Sequence, residues 1–373
     1  MTDILPRETD MLPLEADIRR RIAAAGPMPV GEYMGLCLGD PQHGYYLTRD
    51  PFGAGGDFTT SPEISQMFGE LIGLWMAAVW TRMGSPASVC VIELGPGRGT
   101  LMNDALRAVK VLPAFRAAIA LHLVEISPRL RAQQEETLAG QDVPTSWHPS
   151  LADVPEGPAI VIANEFFDAL PVSQAMKTES GWHERQIEVD SGGHLGFTVA
   201  PDPLPGFEAL LPPAVRAAPV GSIFEWRSEI EAMELGRRLA RDGGAALVID
   251  YGHAESAPGD TLQAVGRHVY ADVLGAPGRV DLTAHVDFQA LKRAVESMGA
   301  EGYGPITQGQ LLRRLGIETR AAKLKARAAP LVAAEIDAAF ARLTGHGQGE
   351  MGGLFKAAAF AHPAFGIPPA FDI

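Results

Sequence analysis

The spacing of apolar side chains changes once along this chain, from a helical period to short runs of strand length. Residues 15–25 and 65–83 carry apolar side chains three and four positions apart, which predicts two helices. Gly26-Pro27 ends the first helix, and Ser61-Pro62-Glu63 is a start signal for the second. From Ser88 onward, apolar runs alternate with helical stretches, which is typical of a parallel sheet built from crossover connections. The sequence therefore predicts a helical front followed by an α/β fold.

The apolar runs after Ser88 are the candidate strands of this sheet. We expect strands at residues 89–94, 120–126, a short run ending near Trp147, 159–164 and 245–251, with helices at 101–109, 128–138 and 228–241. After a long break, a helix at 287–298, a short strand at 302–307 and a last strand at 354–361 follow. Seven strands in this order, with a late one returning after an excursion, predict a seven-stranded, Rossmann-like α/β sheet.

Two insertions interrupt the predicted sheet. The first contains a hairpin at 184–189 and 194–199, turned at Asp190-Ser-Gly-Gly193, and a proline-rich stretch. The second is rich in Ala, Arg and Leu and should be helical. Insertions of this size in a cofactor-binding sheet usually build a cap for the substrate. We predict six segments: an N-terminal helical region with a glycine-rich loop (1–87), core (88–170), cap insertion (171–225), core (226–307), helical insertion (308–346) and a final strand with tail (347–373).

The net charge and the cysteine content limit the classes of binding partner and the cellular locations that we expect for this protein. A net charge of −14 opposes binding to nucleic acid phosphates. Cys37 and Cys90 are too far apart in sequence to indicate a disulfide framework or a metal site, so we expect no metal. The acidic first ten residues lack the features of a signal or transit peptide, and the apolar stretch 71–80 falls short of the roughly 20 residues that cross a membrane. We therefore expect a cytoplasmic protein without stable membrane insertion, of undetermined oligomeric state.

The segment Glu93-Leu-Gly-Pro-Gly-Arg-Gly-Thr100 joins a predicted strand to a predicted helix. Gly95, Gly97 and Gly99 allow a tight turn and a close approach to a ligand, while the N–H groups of the helix start point outward. A dinucleotide-binding loop would read G-x-G-x-x-G, with an acid about 20 residues later. Here the spacing is G-x-G-x-G and the next acid at a strand end, Glu125, comes later. This pattern is typical of a class I methyltransferase that uses S-adenosyl-L-methionine, which has an ammonium group and a ribose diol but no phosphate.

The strand ends supply the remaining candidates for cofactor contacts. We expect Glu93 on the ammonium side, Glu125 as acceptor of the ribose hydroxyls, and Thr100 in the loop. Leu151 is the candidate adenine wall, whereas the nearby His148 is more simply a surface or satisfied histidine. The alternative of a solvated Glu93 beside a plain βα turn is disfavoured, because three glycines and two acids coincide at the expected strand ends.

The fourth predicted strand runs into Asn164-Glu-Phe-Phe-Asp-Ala-Leu-Pro171, at the edge where open α/β sheets bind ligands. Asn164 is a candidate cofactor contact, and Glu165 could present a carboxylate to an amine-like nucleophile. Phe166 and Phe167 would exclude water there. Asp168 either joins Glu165 in catalysis or caps a helix by binding backbone amides.

Six blocks of sequence, in this order along the chain, resemble the MidA family. They are Gly56-Asp-Phe-Thr-Thr-Ser-Pro-Glu-Ile-Ser65, Glu93 to Thr100, Leu123-Val-Glu-Ile-Ser127, Ala163 to Val172, Pro277-Gly-Arg-Val-Asp-Leu-Thr-Ala-His-Val-Asp-Phe288 and Met351-Gly-Gly-Leu-Phe-Lys356. The resemblance implies a protein arginine methyltransferase that symmetrically dimethylates a core subunit of respiratory complex I during assembly. Gln263 and Ala271 depart from the arginine and histidine expected in the family, which bears on substrate identity rather than on the cofactor.

An arginine acceptor needs carboxylates, because a guanidinium with a pKa above about 12 must be oriented and must lose a proton. Glu165 is the first catalytic candidate and Asp168 the second, with His285 as a possible proton acceptor. The substrate-binding candidates are Asp57, Glu63 and Asp281. Asp57 has a surface turn as its plain alternative, and His285 a structural role.

Three other functions stay open on the sequence. A small-molecule acceptor would keep the enzyme class, although the large insertions argue against an open small-molecule site. An assembly factor could use the fold as a docking surface without turnover. Such a protein would not require the cofactor-binding residues Gly95 and Glu125, which are present here. A nicotinamide oxidoreductase is disfavoured by the glycine spacing.

Overall fold

The computed structural model describes residues 11–49, 59–266 and 269–372. Its helices are α1 (Pro13–Ala25), α2 (Val30–Gly39), α3 (Tyr45–Thr48), α4 (Ser61–Ile64), α5 (Gln66–Arg82), α6 (Thr100–Ala108), α7 (Pro113–Ala118), α8 (Pro128–Leu138), α9 (Phe207–Leu210), α10 (Pro213–Arg216), α11 (Ile230–Asp242), α12 (Phe288–Glu296), α13 (Gln308–Arg314), α14 (Ile317–Lys325) and α15 (Pro330–Thr344). Its strands are β1 (Met28–Pro29), β2 (Val89–Leu94), β3 (Ile119–Val124), β4 (Thr145–His148), β5 (Ala159–Asn164), β6 (Val172–Thr178), β7 (Gly181–Val189), β8 (Leu195–Pro203), β9 (Ile223–Arg227), β10 (Gly244–His253), β11 (Gln263–Gly266), β12 (Val269–Ala271), β13 (Asp281–Thr283), β14 (Val286–Asp287), β15 (Glu301–Thr307) and β16 (Phe355–Ala361).

The chain forms two compact units, each assembled from separate stretches of sequence. The first unit contains Met1–Phe58, Asp168–Ser228 and Glu255–Asp287, and the second contains Thr59–Phe167, Glu229–Ala254 and Phe288–Ile373. The finer division into six segments stays a prediction.

The second unit is built on a mixed sheet whose strands lie in the order β15-β16-β10-β5-β2-β3-β4. From β10 to β4 neighbouring strands are parallel, while β16 runs antiparallel to both of its neighbours. Every residue of β2 and β5 is buried, as expected for parallel strands covered by helices on both faces. The predicted α/β class is confirmed, and the strands fall within a few residues of their predicted bounds.

The helices of the second unit pack on this sheet around a core that includes Trp75, Phe115 and Phe360. The predicted helix at 65–83 is found as α5, and its predicted start signal forms the separate short helix α4. The two helices are divided at Ser65, whose extended backbone leaves its side chain free to accept the Met67 N–H at the start of α5.

The segment 308–346, which was expected to be helical, contains α13, α14 and α15. A buried carboxylate ties it to the core: Glu70 on α5 accepts hydrogen bonds from Arg320 on α14 at 2.5 and 2.8 Å, and from Arg107 on α6 at 2.8 Å. Because Glu70 is buried and receives two guanidinium groups, its charge is compensated within the protein.

The first unit contains an antiparallel sheet in the order β1-β7-β6-β9, with β8 paired to β7. The predicted hairpin is confirmed as β7 and β8, both longer than expected. A separate small sheet has the order β12-β11-β13. Helices α1 and α2 supply about half of the buried residues in one of the two hydrophobic clusters of this unit, and the predicted helix at 15–25 is found as α1.

Candidate functional site

The glycine-rich loop leaves β2 and enters α6, as its sequence predicts. All three glycines have left-handed backbone angles, with φ of 62° at Gly95, 54° at Gly97 and 80° at Gly99. A Cβ at position 95 would lie 2.9 Å from the Phe166 ring, closer than carbon atoms pack. The loop therefore requires glycine at Gly95 for two independent reasons, backbone angle and space.

Glu93, the last residue but one of β2, is buried with 3% exposure. Burial raises the pKa of its carboxyl group to about 8. Among the described residues its Oε2 atom has no hydrogen-bond partner, and the same holds for Oδ1 of Asn164 at the end of β5. Buried polar atoms without partners are rare in folded proteins, and two of them at the ends of adjacent strands indicate a polar ligand at this edge of the sheet.

Glu125 follows β3 directly and is also buried. Its Oε1 accepts the Ser127 N–H at 2.7 Å, and its Oε2 accepts the side-chain N–H of Gln134 at 3.2 Å. Burial raises the pKa of its carboxyl group, while these two donors act in the opposite direction. Each carboxylate oxygen keeps a further lone pair, so Glu125 retains capacity to accept ligand hydroxyls.

Gln134 of α8 was not singled out by the sequence. It is fully buried, and its amide donates to Gly97 O at 2.7 Å as well as to Glu125. Its amide oxygen accepts the Trp147 ring N–H at 2.9 Å. A glutamine inside a helix carries no sequence signal for such a role, because its partners lie in three other elements.

The candidate adenine residue Leu151 is buried in a short 3-10 helix after β4. His148, at the end of β4, lies with its Nε2 atom 3.1 Å from both Ser146 Oγ and His122 Nδ1. This pairing agrees with the expectation that His148 is a satisfied histidine. Burial and the neighbouring ring of His148 lower the pKa of His122 to about 4.

Glu165 has an unusual backbone at the carboxyl end of β5. Its φ is 52°, a left-handed angle that non-glycine residues seldom adopt. Its Oε1 accepts the backbone N–H of Ser61 at 3.0 Å and the side-chain N–H of Asn164 at 3.1 Å. The carboxylate of a strained residue is thus fixed by two donors, a combination that is concentrated at functional sites.

Helix α4 connects this carboxylate with the glycine-rich loop. Glu63 on α4 accepts a hydrogen bond from the hydroxyl of Thr100, the first residue of α6, at 2.6 Å. The buried hydroxyl of Ser61 donates to Oε1 of Gln308 at 3.1 Å, and the side-chain nitrogen of Gln308 donates to Leu343 O at 3.0 Å. The structure therefore brings Glu63, Thr100 and Glu165 together in the second unit through Ser61, a residue that the sequence did not single out.

The first unit holds the other acidic candidates. Asp281 is buried, and its Oδ1 accepts the hydroxyl of Tyr46 at 2.9 Å. Burial and the nearby carboxylates raise the pKa of Tyr46 well above its usual value. No local pattern marks this pair, because α3 and β13 are far apart along the chain.

One guanidinium fixes the segments that carry Asp168 and His285. Arg227 donates to the backbone oxygens of Ala284 at 2.5 Å, His285 at 2.7 Å, Leu170 at 3.2 Å and Asp168 at 3.4 Å. Asp168 is buried and His285 is half-buried. The remaining candidate, Asp57, lies outside the described residues.

The residues at the sheet edge fit S-adenosyl-L-methionine. Glu93 and Asn164 offer unpaired buried oxygens for an ammonium group, and Glu125 has acceptor capacity for a diol. In the described part of the chain no cluster of three or more His, Cys, Asp or Glu side chains could hold a metal ion. Nor does any described helix combine the length and apolarity of a membrane span.

The sheet is largely parallel, and a glycine loop with left-handed backbone angles follows its central strand β2. Buried acids lie at the carboxyl ends of β2 and of its neighbour β3. This combination defines an S-adenosyl-L-methionine-dependent methyltransferase. A family model described as S-adenosyl-L-methionine-dependent methyltransferase matches residues 71–306. The chain belongs to this MidA-like family, and the expected cofactor and enzyme class are confirmed.

Curated relatives share most of the chain. The protein arginine methyltransferase NDUFAF7 of Danio rerio, a mitochondrial protein, is 39% identical over 85% of this chain and 79% of its own length. The NDUFAF7 homolog of Drosophila melanogaster is 38% identical over 92% of this chain and 83% of its own length. A Burkholderia thailandensis protein crystallised with S-adenosyl-homocysteine is 30% identical, with a TM-score of 0.82 over 96% of this chain and 92% of that one.

The expected cytoplasmic location is wrong. The curated relatives from fish, fly and human are named mitochondrial proteins. That expectation rested on the acidic first ten residues, and the composition of so short a segment does not report where a protein acts.

Proposed function

We propose that this protein transfers methyl groups from S-adenosyl-L-methionine to the guanidinium of an arginine in a protein substrate. The observation that carries the proposal is the fixed carboxylate of Glu165, in a chain 39% identical to a protein named as an arginine methyltransferase. A guanidinium is planar and presents a fork of N–H donors, whereas an ammonium group is a compact point charge. A carboxylate held in one orientation therefore selects the guanidinium.

The cofactor supplies an electrophilic methyl group when it is bound. We assign its contacts to Glu93 and Asn164 on the ammonium side, to Glu125 on the ribose and to Leu151 on the adenine. The loop glycines and Thr100 provide the close backbone approach. The unpaired oxygens of Glu93 and Asn164 support this assignment.

Glu165 orients the acceptor guanidinium and holds its positive charge on the nitrogen that it contacts. The other terminal nitrogen then has the electron density to form the new bond, and its proton passes to a base as that bond forms. Asp168 is the second carboxylate and His285 the candidate proton acceptor. Their fixation by the single guanidinium of Arg227 supports a shared role. Glu63, Asp57 and Asp281 are the proposed contacts for the rest of the substrate.

The acceptor that we propose is an arginine of a core subunit of respiratory complex I, methylated during assembly. The resemblance of six sequence blocks to the MidA family supports this choice.

Replacing Glu165 by glutamine tests the catalytic assignment. The amide oxygen of Glu165→Gln can still accept the Ser61 N–H, so the fold and the affinity for S-adenosyl-homocysteine should stay within about threefold of wild type. Turnover should fall by about 100-fold or more, because the negative charge that Glu165 presents to the acceptor guanidinium is lost. Calorimetry and transfer of a labelled methyl group to a complex I subunit fragment measure the two quantities.

The exposed Glu136 on α8 provides a matched control, and Glu136→Gln should leave both quantities unchanged. A large loss of cofactor affinity with turnover preserved would sink the assignment of Glu165. A fragment whose arginine is replaced by lysine should take up no label. Labelling of small amines in place of the fragment would favour a small-molecule enzyme, and cofactor binding with no labelling of any acceptor would favour an assembly factor.

A further inference from the structure

Gln134 on α8 has three hydrogen-bond partners in three different elements, and two of them, Gly97 and Glu125, belong to the proposed cofactor site. Its side-chain nitrogen donates to Gly97 O at 2.7 Å and to Glu125 Oε2 at 3.2 Å, and its side-chain oxygen accepts Trp147 Nε1–H at 2.9 Å. Gly97 is in the glycine loop, Glu125 follows β3, and Trp147 is on the neighbouring strand β4.

The roles of these partners allow only one orientation of the amide. A backbone carbonyl and a carboxylate are acceptors, and an indole N–H is a donor only. If the amide were reversed, its oxygen would face two acceptors and its NH₂ group would face a donor. The side chain is fully buried, so water does not compensate for a reversed amide.

The backbone of α8 also lies against the loop. A Cβ at Gly99 would be 3.6 Å from both Cα and Cγ of Gln134, which is van der Waals distance. Ser127 caps the start of α8: its hydroxyl accepts the Leu130 N–H, and its own N–H donates to Glu125. Glu125 is thus held by the start of α8 and, seven residues after Ser127, by Gln134 on the same helix.

We propose that Gln134 is a positioning residue of the cofactor site, which holds the glycine loop and the Glu125 carboxylate at a fixed separation through one oriented amide. This inference rests on the proposed contact between Glu125 and the cofactor ribose. By donating to Glu125, the amide also opposes the effect of burial on the pKa of that carboxyl group and so favours its ionised, acceptor-only form.

The test compares Gln134→Met with Gln141→Met in the full-length protein. Methionine preserves the length of the side chain and removes the amide. Gln141 is a suitable control because it is half-buried and also bonds three partner atoms, on Asn103 and Arg116, none of which is in the glycine loop or on Glu125. We expect Gln134→Met to weaken S-adenosyl-homocysteine binding by about tenfold, and Gln141→Met to change it by less than about twofold.

Two further measurements separate positioning from general stability. The KM for S-adenosyl-L-methionine should rise with the dissociation constant, while kcat at saturating cofactor should stay within about twofold. In the Glu125→Gln background, Gln134→Met should have a clearly smaller effect, because the two residues act through one hydrogen bond. Trp147→Phe keeps an aromatic ring at this position and removes the N–H that orients the amide. It should weaken S-adenosyl-homocysteine binding by about threefold.

Equal losses of affinity in Gln134→Met and Gln141→Met, or full additivity with Glu125→Gln, would overturn the inference. If Gln134→Met does not fold, an unchanged affinity of Trp147→Phe for S-adenosyl-homocysteine would overturn the inference instead. The readout is cofactor binding and does not depend on the acceptor. A protein with Gln134-dependent affinity that methylates no arginine would therefore contradict the proposed function and still support the role of Gln134.

Discussion

At the scale of single residues, Glu93 has the most consequential environment in the second unit. Its carboxyl group is buried beside the glycine loop, and burial raises its pKa from an ordinary 4.5 to about 8. In the unfolded chain the pKa returns to its ordinary value. The folded protein therefore binds more protons than the unfolded chain between these two pH values, and its stability must decrease as the pH rises through this range.

Glu93→Gln should remove this dependence. For the cofactor-free wild type, the contribution of Glu93 lowers the free energy of unfolding by up to about 1.4 kcal/mol per pH unit between pH 4.5 and 8. The variant should thus gain stability relative to wild type as the pH rises from 5.5 to 7.5. Urea unfolding at these two pH values measures the difference. A constant difference between the two proteins would show that Glu93 is not buried and protonated as described.

The sequence located some residues of the site and missed others for a physical reason. Glu93 and Glu125 lie at strand ends next to a glycine loop, a local pattern that spacing reveals. Gln134 and Ser61 contribute through partners far away in sequence: Gln134 is 37 residues from Gly97, and Ser61 is 104 residues from Glu165. Such pairs exist only once the chain has folded, so no local pattern marks them.

At the scale of elements, the turn from β2 into α6 is constrained in two ways. Gly95 combines a left-handed backbone with a close approach to the Phe166 ring, whereas Gly84 has φ of 83° and would have nothing within 4 Å of an added Cβ. The two positions therefore separate the cost of the backbone angle from the cost of the contact.

Gly95→Ala should destabilise the protein more than Gly84→Ala. Both variants lose about 1 kcal/mol to the left-handed angle, and Gly95→Ala should lose about 1–2 kcal/mol more because the ring of Phe166 must move. Thermal unfolding of both variants gives the comparison, and cofactor affinity should fall only in Gly95→Ala. Equal destabilisation would mean that Phe166 gives way without cost.

The presence of most helices and strands was predictable from the sequence. Their end residues and their unusual backbone angles were not. The turn at Asp190-Ser-Gly-Gly193 indicated the hairpin β7–β8, and a composition rich in Ala, Arg and Leu indicated the helices α13–α15. The left-handed angle of Glu165 had no signal in its side-chain type, since surrounding donors rather than local preference hold it.

At the scale of the whole molecule, the net charge of −14 bears on substrate capture. An acidic protein attracts a basic segment that carries arginine through a long-range electrostatic attraction, and dissolved salt weakens this attraction. The KM for a basic subunit fragment should therefore rise severalfold between 50 and 300 mM salt, roughly the range over which the Debye length falls below 10 Å. The KM for S-adenosyl-L-methionine should change by less than about twofold, and equal responses would contradict electrostatic capture of the substrate.

By itself the sequence determined the α/β class, the cofactor loop and the family, because periodicity, glycine spacing and short motifs are local properties of the chain. It gave the location wrongly, since composition does not encode destination. Only the tertiary structure decided which buried oxygens lack partners, how Glu165 is held and that Gln134 joins the glycine loop to Glu125. These features depend on which distant residues meet and on how much water remains around them, and both are fixed only when the chain packs.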